Sequence, residues 1–213
     1  MTKYRIGYID ETGSEIRAFQ RWAKPVFEVV AFPPIPNIDE FVDRLSAAHL
    51  DAVVADFNLN YGDPTIHYNG HDVISKILEK REGFPVFVLT SYEAAALPET
   101  DDVNNVYDKN RMNEPWNPED VRHLLNRFKL QIEKYKKKIA EQEARLIELI
   151  NYKKTRPLNA SEENELIELD SKLEKEFDKP SAVPQSLKET TNINKLSSLI
   201  GKVDALIQKI EEK

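Results

Sequence analysis

Short apolar runs alternate with amphipathic stretches through the first half of the chain. Tyr4–Ile9, Val26–Phe32, Asp51–Ala55, Phe84–Leu89 and Asn105–Tyr107 are brief segments dominated by apolar residues. Between them, Ser14–Lys24, Ile38–Ala48 and Asp72–Lys80 place their apolar residues at helical spacing, and a brief fourth stretch, Glu93–Leu97, is stopped by Pro98. Near-continuous apolar strands separated by amphipathic helices mean strands buried on both faces. The pattern predicts an α/β fold, a doubly wound five-stranded parallel sheet.

The period changes after Pro118. Val121, Leu125, Phe128, Ile132, Tyr135, Ile139, Gln142, Leu146 and Leu149 follow one another at alternating steps of four and three. This predicts one helix of about 35 residues with a coiled-coil seam, polar only at Gln142. Arg156, Pro157 and Leu158 break it. Asn159 followed by Glu162 reads as a capping box, opening a second helix with Leu166, Leu169, Leu173 and Phe177 on one face. So short a connection predicts an antiparallel helical hairpin over 119–178. Residues 179–191 carry two prolines and small polar residues and read as a linker. Residues 192–213 are expected to form a last amphipathic helix with Leu196, Leu199, Val203, Leu206 and Ile210 on one face. These stripes must be buried against one another, a second copy of the chain or another protein.

Charge divides the 213 residues at the same place. Residues 1–118 hold 11 basic and 19 acidic side chains, a balance of −8; the remainder holds 19 and 18, a balance of +1. A strongly acidic first half argues against nucleic acid as its partner, because phosphate contact needs a basic face. Lys134 and Lys136–Lys138 sit beside Glu133, Glu141 and Glu143, the pattern of a solvated helix face. The absence of cysteine excludes a disulfide scaffold, a thiolate zinc site and a cysteine nucleophile. No apolar run is long enough to span a membrane, and the first ten residues read as a strand rather than a signal peptide. The expectation is a cytoplasmic protein.

In a doubly wound sheet, ligands bind beyond the carboxyl ends of the strands. Those positions carry Asp10 and Glu11 after the first strand, Asp56 after the third, Thr90 and Ser91 after the fourth, and Lys109 after the fifth. Converging carboxylates repel unless a cation neutralises them, and hard oxygen ligands suit Mg²⁺. A hydroxyl and an ammonium nearby match the oxygens of a phosphoryl group. The chemistry implied is phosphoryl transfer to a carboxylate, with Asp56 as the central nucleophile.

YIDE at 8–11, VVADFNL at 53–59, FVLTSYE at 87–93 and YDKN at 107–110, in this order and spacing, resemble the receiver domain of two-component response regulators. The resemblance covers residues 3 to about 130, implies a receiver domain over 1–130, and implies a flavodoxin-like fold whose fifth helix runs on into the tail. It implies that Asp56 is the phosphoacceptor, that Asp10, Glu11, Asp56 and the backbone carbonyl of Asn58 hold Mg²⁺, and that Thr90 and Lys109 contact the phosphoryl group. The donor would be a histidine kinase or phosphotransfer protein, and output would pass to a downstream protein through the helical tail. Beyond its own phosphorylation and dephosphorylation the chain would not be an enzyme.

The chain also departs from the family. Glu11 stands where a second Asp is usual, Asn60–Asn69 reads as an insertion before Gly70, Asn110 follows the lysine in place of proline, and Val106 occupies the position of the switch aromatic, with Tyr107 one place late. One alternative is a degenerate receiver acting as a scaffold through its coiled coil. A phosphatase of the haloacid-dehalogenase type is disfavoured, because Asn58 stands where that family needs a second Asp. His67 and His71 flank a turn and read as packing or solvated residues.

Overall fold

The computed structural model describes residues 3–60, 63–91, 106–109 and 117–176. The expected helices at 93–97 and 192–213 and the linker at 179–191 lie outside these residues. Elements follow in the order β1 (Tyr4–Ile9), α1 (Gly13–Ala23), β2 (Phe27–Phe32), α2 (Ile38–Ala47), β3 (Ala52–Asp56), α3 (Gly70–Lys80), β4 (Val86–Thr90), β5 (Val106–Asp108), α4 (Pro118–Thr155) and α5 (Ala160–Glu176). The sheet is wholly parallel in the order β2-β1-β3-β4-β5. This is the doubly wound parallel sheet expected from the strand and helix pattern, in the flavodoxin-like order that the resemblance implied.

The chain divides into two compact units, 1–139 and 140–213, with the boundary inside α4. In the first unit, alternation along each strand splits the apolar residues between two layers. Ile6, Tyr8, Val54, Phe87 and Leu89 face a layer completed by Phe19 and Trp22 of α1 and by Leu125, Phe128 and Ile132 of α4. Phe87 and Phe128 stack at 4.0 Å, and Trp22 meets Phe128 edge-on at 6.5 Å. Val53, Ala55, Val86 and Val88 face the other layer, with Phe41, Val42 and Leu45 of α2 and Val73 and Ile77 of α3.

Leu125 and Phe128 sit in the first unit as the fifth helix that the resemblance implied, and the coiled-coil seam read from the heptad spacing is corrected further along, at Ile132 and Tyr135. Leu125, Phe128, Ile132 and Tyr135 are buried within the first unit, packed on the chain's own core rather than in a helix–helix seam. A heptad stripe and a helix packed on a sheet both need one apolar face, so periodicity alone does not separate them.

The second unit holds the helical hairpin. Arg145 of α4 donates twice to Glu165 of α5, from Nε at 2.9 Å and Nη2 at 2.8 Å. Nearer the break, Arg156 donates from Nη1 and Nη2 to Glu162 at 2.8 and 2.6 Å. Pairs nested in this way define an antiparallel return. The capping box is formed: Glu162 N donates to Asn159 Oδ1 at 2.9 Å and Asn159 N to Glu162 Oε2 at 3.0 Å. Leu149, Leu166 and Leu173 are buried. No helix among the described residues is long and apolar enough to cross a membrane.

Candidate functional site

Four polar or charged residues are buried among the described ones: Asp10, Asp56, Thr90 and Lys109. Three of them carry ionisable groups, which are costly to bury unless paired. All four stand at the carboxyl ends of strands: Asp10 directly follows β1, Asp56 ends β3, Thr90 ends β4 and Lys109 follows β5. Parallel pairing sets Asp56 opposite Leu89 and Thr90 opposite Asp108, so these ends lie along one edge.

Lys109 ties the three ionisable members together. Its Nζ donates to Asp10 Oδ2 at 2.7 Å and to Asp56 Oδ1 at 3.0 Å, and lies 3.6 Å from Glu15 Oε2. Asp10 accepts two further hydrogen bonds, from Tyr8 Oη at 2.8 Å and from the Thr12 backbone N–H at 2.8 Å. Tyr8 is itself fixed by stacking on Phe19 at 4.1 Å. Tyr8 and Glu15 were not singled out in the sequence. Tyr8 shares a strand face with Asp10 two residues on, and Glu15 lies in the first turn of the helix that starts beside Asp10; those placements are the signals that find them.

Burial raises the Asp56 carboxyl to about 6, the nearby charges of Asp10 and Glu11 adding to the rise and Lys109 opposing it. Asp56 is thus anionic at neutral pH yet more basic than an ordinary aspartate. For Lys109, burial works against the charge, but Asp56 and Asp10 outweigh it and the ammonium is held above its usual range. Burial also raises Glu11, with Asp10 adding to it, and moves Tyr8 well upward, Asp10 again contributing.

The backbone beneath Asp56 is equally constrained. Asn69 caps α3 in a reciprocal capping box with Asp72, so the helix starts at Gly70, two residues before its expected start. Gly70 N donates to Phe57 O at 2.8 Å, and a Cβ at Gly70 would stand 2.0 Å from the Asp56 carbonyl oxygen. Only glycine admits so close an approach. Of the stretch read as an insertion, Ile66 and Tyr68 are buried in the core, and Tyr68 Oη donates to Ile35 O at 2.6 Å and accepts from Ile35 N at 3.2 Å. Tyr107 packs inward, edge-on to Phe128 at 5.3 Å. His67 is exposed and His71 faces Ser75 at 3.4 Å.

Among the described residues no three His, Asp or Glu side chains form a ready-made metal cluster. The ammonium of Lys109 instead bridges Asp10 and Asp56. Glu11 nonetheless fits a cation: its Oε2 is buried and lacks a hydrogen-bond partner, and its carboxylate is partly desolvated. Asn58 is exposed between buried Phe57 and Leu59. The donor set is all oxygen, the type that hard divalent ions take.

No family model and no curated protein matches the chain. Solved structures that match include the BeF3-activated DrrB receiver domain, at 21% identity over 62% of this chain and 99% of that one, with a TM-score of 0.44. The adenylate cyclase from Rhodopirellula baltica matches at 17% identity over 64% and 95%, with a TM-score of 0.46. The RcsB response regulator of Salmonella typhimurium, described in terms of DNA interaction, matches at 16% over 92% and 93%, again at 0.46. The expectation that this chain binds no nucleic acid gains no support from these neighbours.

Proposed function

We propose that the chain is a phosphoacceptor signalling protein of the response-regulator type. The observation that carries the reading is the buried quartet, in which Lys109 bridges Asp10 and Asp56 at the end of the central strand. A carboxylate raised to about 6 is both ionised and nucleophilic at neutral pH. An Asp56 oxygen attacks the phosphorus of a phosphohistidine on a partner kinase or phosphotransfer protein; the P–N bond breaks and the imidazole leaves with the electron pair. The product is an acyl phosphate on Asp56.

Lys109 stays charged throughout and offsets the roughly −1.5 to −2 charges of the phosphoryl group. Thr90, on the neighbouring strand end, supplies a hydroxyl that donates to a phosphoryl oxygen. Glu11 and Asp56, with Asp10 and the Asn58 carbonyl, are the oxygens that would hold Mg²⁺, whose charge stabilises the phosphoryl oxygens when bound. The helical tail carries the output by protein–protein contact.

The test is incubation of the full chain with a small phosphodonor and Mg²⁺, followed by intact mass. Wild type is expected to gain one phosphoryl group and Asp56→Asn none. Modification of Asp56→Asn at the wild-type rate overturns the assignment. A second reading, an unphosphorylated docking scaffold, is favoured by the three donors already on Asp10, one of them Lys109; an unmodified wild-type chain in the same assay selects it.

A further inference from the structure

Glu15 has no part in the phosphoryl transfer just described, yet its Oε2 lies 3.6 Å from the Lys109 ammonium. The Asp10 side chain is fully buried and that of Asp56 is 10% exposed, whereas that of Glu15 is 35% exposed. Its carboxylate therefore reaches the buried ammonium and the solvent at once. It also lies in the first turn of α1, which begins at Gly13, three residues beyond Asp10. With Asp10 and Asp56 it makes three carboxylates within 4 Å of a single ammonium, so a phosphoryl donor that brings more negative charge meets a steeper penalty.

We propose that Glu15 is a specificity-determining residue that selects phosphoryl donors by charge at the mouth of the Asp56 site, favouring N-phosphoryl donors over more anionic acyl phosphates. The inference rests on the phosphoacceptor reading. Two small donors separate the effect. Acetyl phosphate is a dianion at neutral pH; on attack by Asp56 its P–O bond breaks and acetate leaves with the electron pair. Phosphoramidate carries a protonated nitrogen and a net single negative charge; its P–N bond breaks and ammonia leaves. Both routes end in the same acyl phosphate, so a difference between them reports the donor and not the product.

A unit charge at the mouth, acting across several ångströms at an effective dielectric between that of a protein surface and water, changes a rate by about threefold to tenfold per donor charge. The experiment measures phosphorylation rates of the full chain with both donors, in Mg²⁺, at low and high salt. Glu15→Gln is expected to speed acetyl phosphate by about threefold to tenfold and phosphoramidate distinctly less, whereas Glu15→Asp keeps the wild-type ratio. Added salt should narrow the gap, because the mouth is solvent-exposed and screened. An equal change with both donors, or an unchanged ratio, overturns the role of Glu15 and leaves the phosphoacceptor reading standing. Failure of both donors to modify either wild type or Glu15→Gln overturns both.

Discussion

At Asp56, burial raises the carboxyl and Lys109 holds it down, and burial wins, leaving it at about 6. An unfolded aspartate titrates near 4. Between those values the folded chain binds the proton that the unfolded chain has released, so this group's contribution to stability rises as pH falls from 7 toward 4. Above pH 6 the full cost of burying the charge is present. Asp56→Asn removes that cost while keeping the side chain's shape. Thermal unfolding should show the variant melting roughly a few degrees above wild type at pH 8, with the difference shrinking toward pH 5. A difference independent of pH would show that Asp56 is not the buried group that sets it. Asp10, Asp56, Thr90 and Lys109 were legible in the sequence because a parallel sheet presents its strand ends at one edge. The placements of Tyr8 and Glu15 were legible too, but their contacts were not, because those depend on how Phe19 and the first turn of α1 are packed, which spacing does not encode.

Among the elements, α4 serves two cores with one apolar stripe. Leu125, Phe128 and Ile132 belong to the core of the first unit, while Leu149 is buried in the second, where Arg145 pairs with Glu165. The heptad spacing located the helix and its break correctly, since Pro157 and the Asn159 capping box are local signals. Spacing alone did not show what the first half of the stripe covers: the resemblance placed Leu125 and Phe128 on the sheet, but Ile132 and Tyr135 join the same core, which depends on strands far away in the chain. The second unit offers a comparison of forces. Leu149→Ala leaves a buried cavity and should cost about 2–5 kcal/mol, whereas Arg145→Ala removes a partly exposed, solvent-screened ion pair and should cost far less. Hydrogen exchange along α4 and α5 reads both; equal loss of protection in the two variants would mean that the ion pair, not the leucine, holds the hairpin.

For the whole molecule, the sheet order was legible as a class from strands alternating with helices, and the actual neighbours emerge from long-range pairing. The Lys109 bridge is the extreme case, joining residues 99 and 53 positions apart in the chain. Every such contact waits on the closure of a long loop, whose entropy is lost before the contact forms. The charged cluster is therefore a late event in the history of each molecule: β1 and β3 can pair while Lys109 is still distant, and the ammonium arrives only with the three-residue β5. Pulse-labelled hydrogen exchange during refolding should find the β1 and β3 amides protected before those of Val106–Asp108, and the reverse order would refute the sequence of events. A nascent or partly unfolded chain then holds its carboxylates without their counter-ion, and the bridged cluster exists only once the fold is complete.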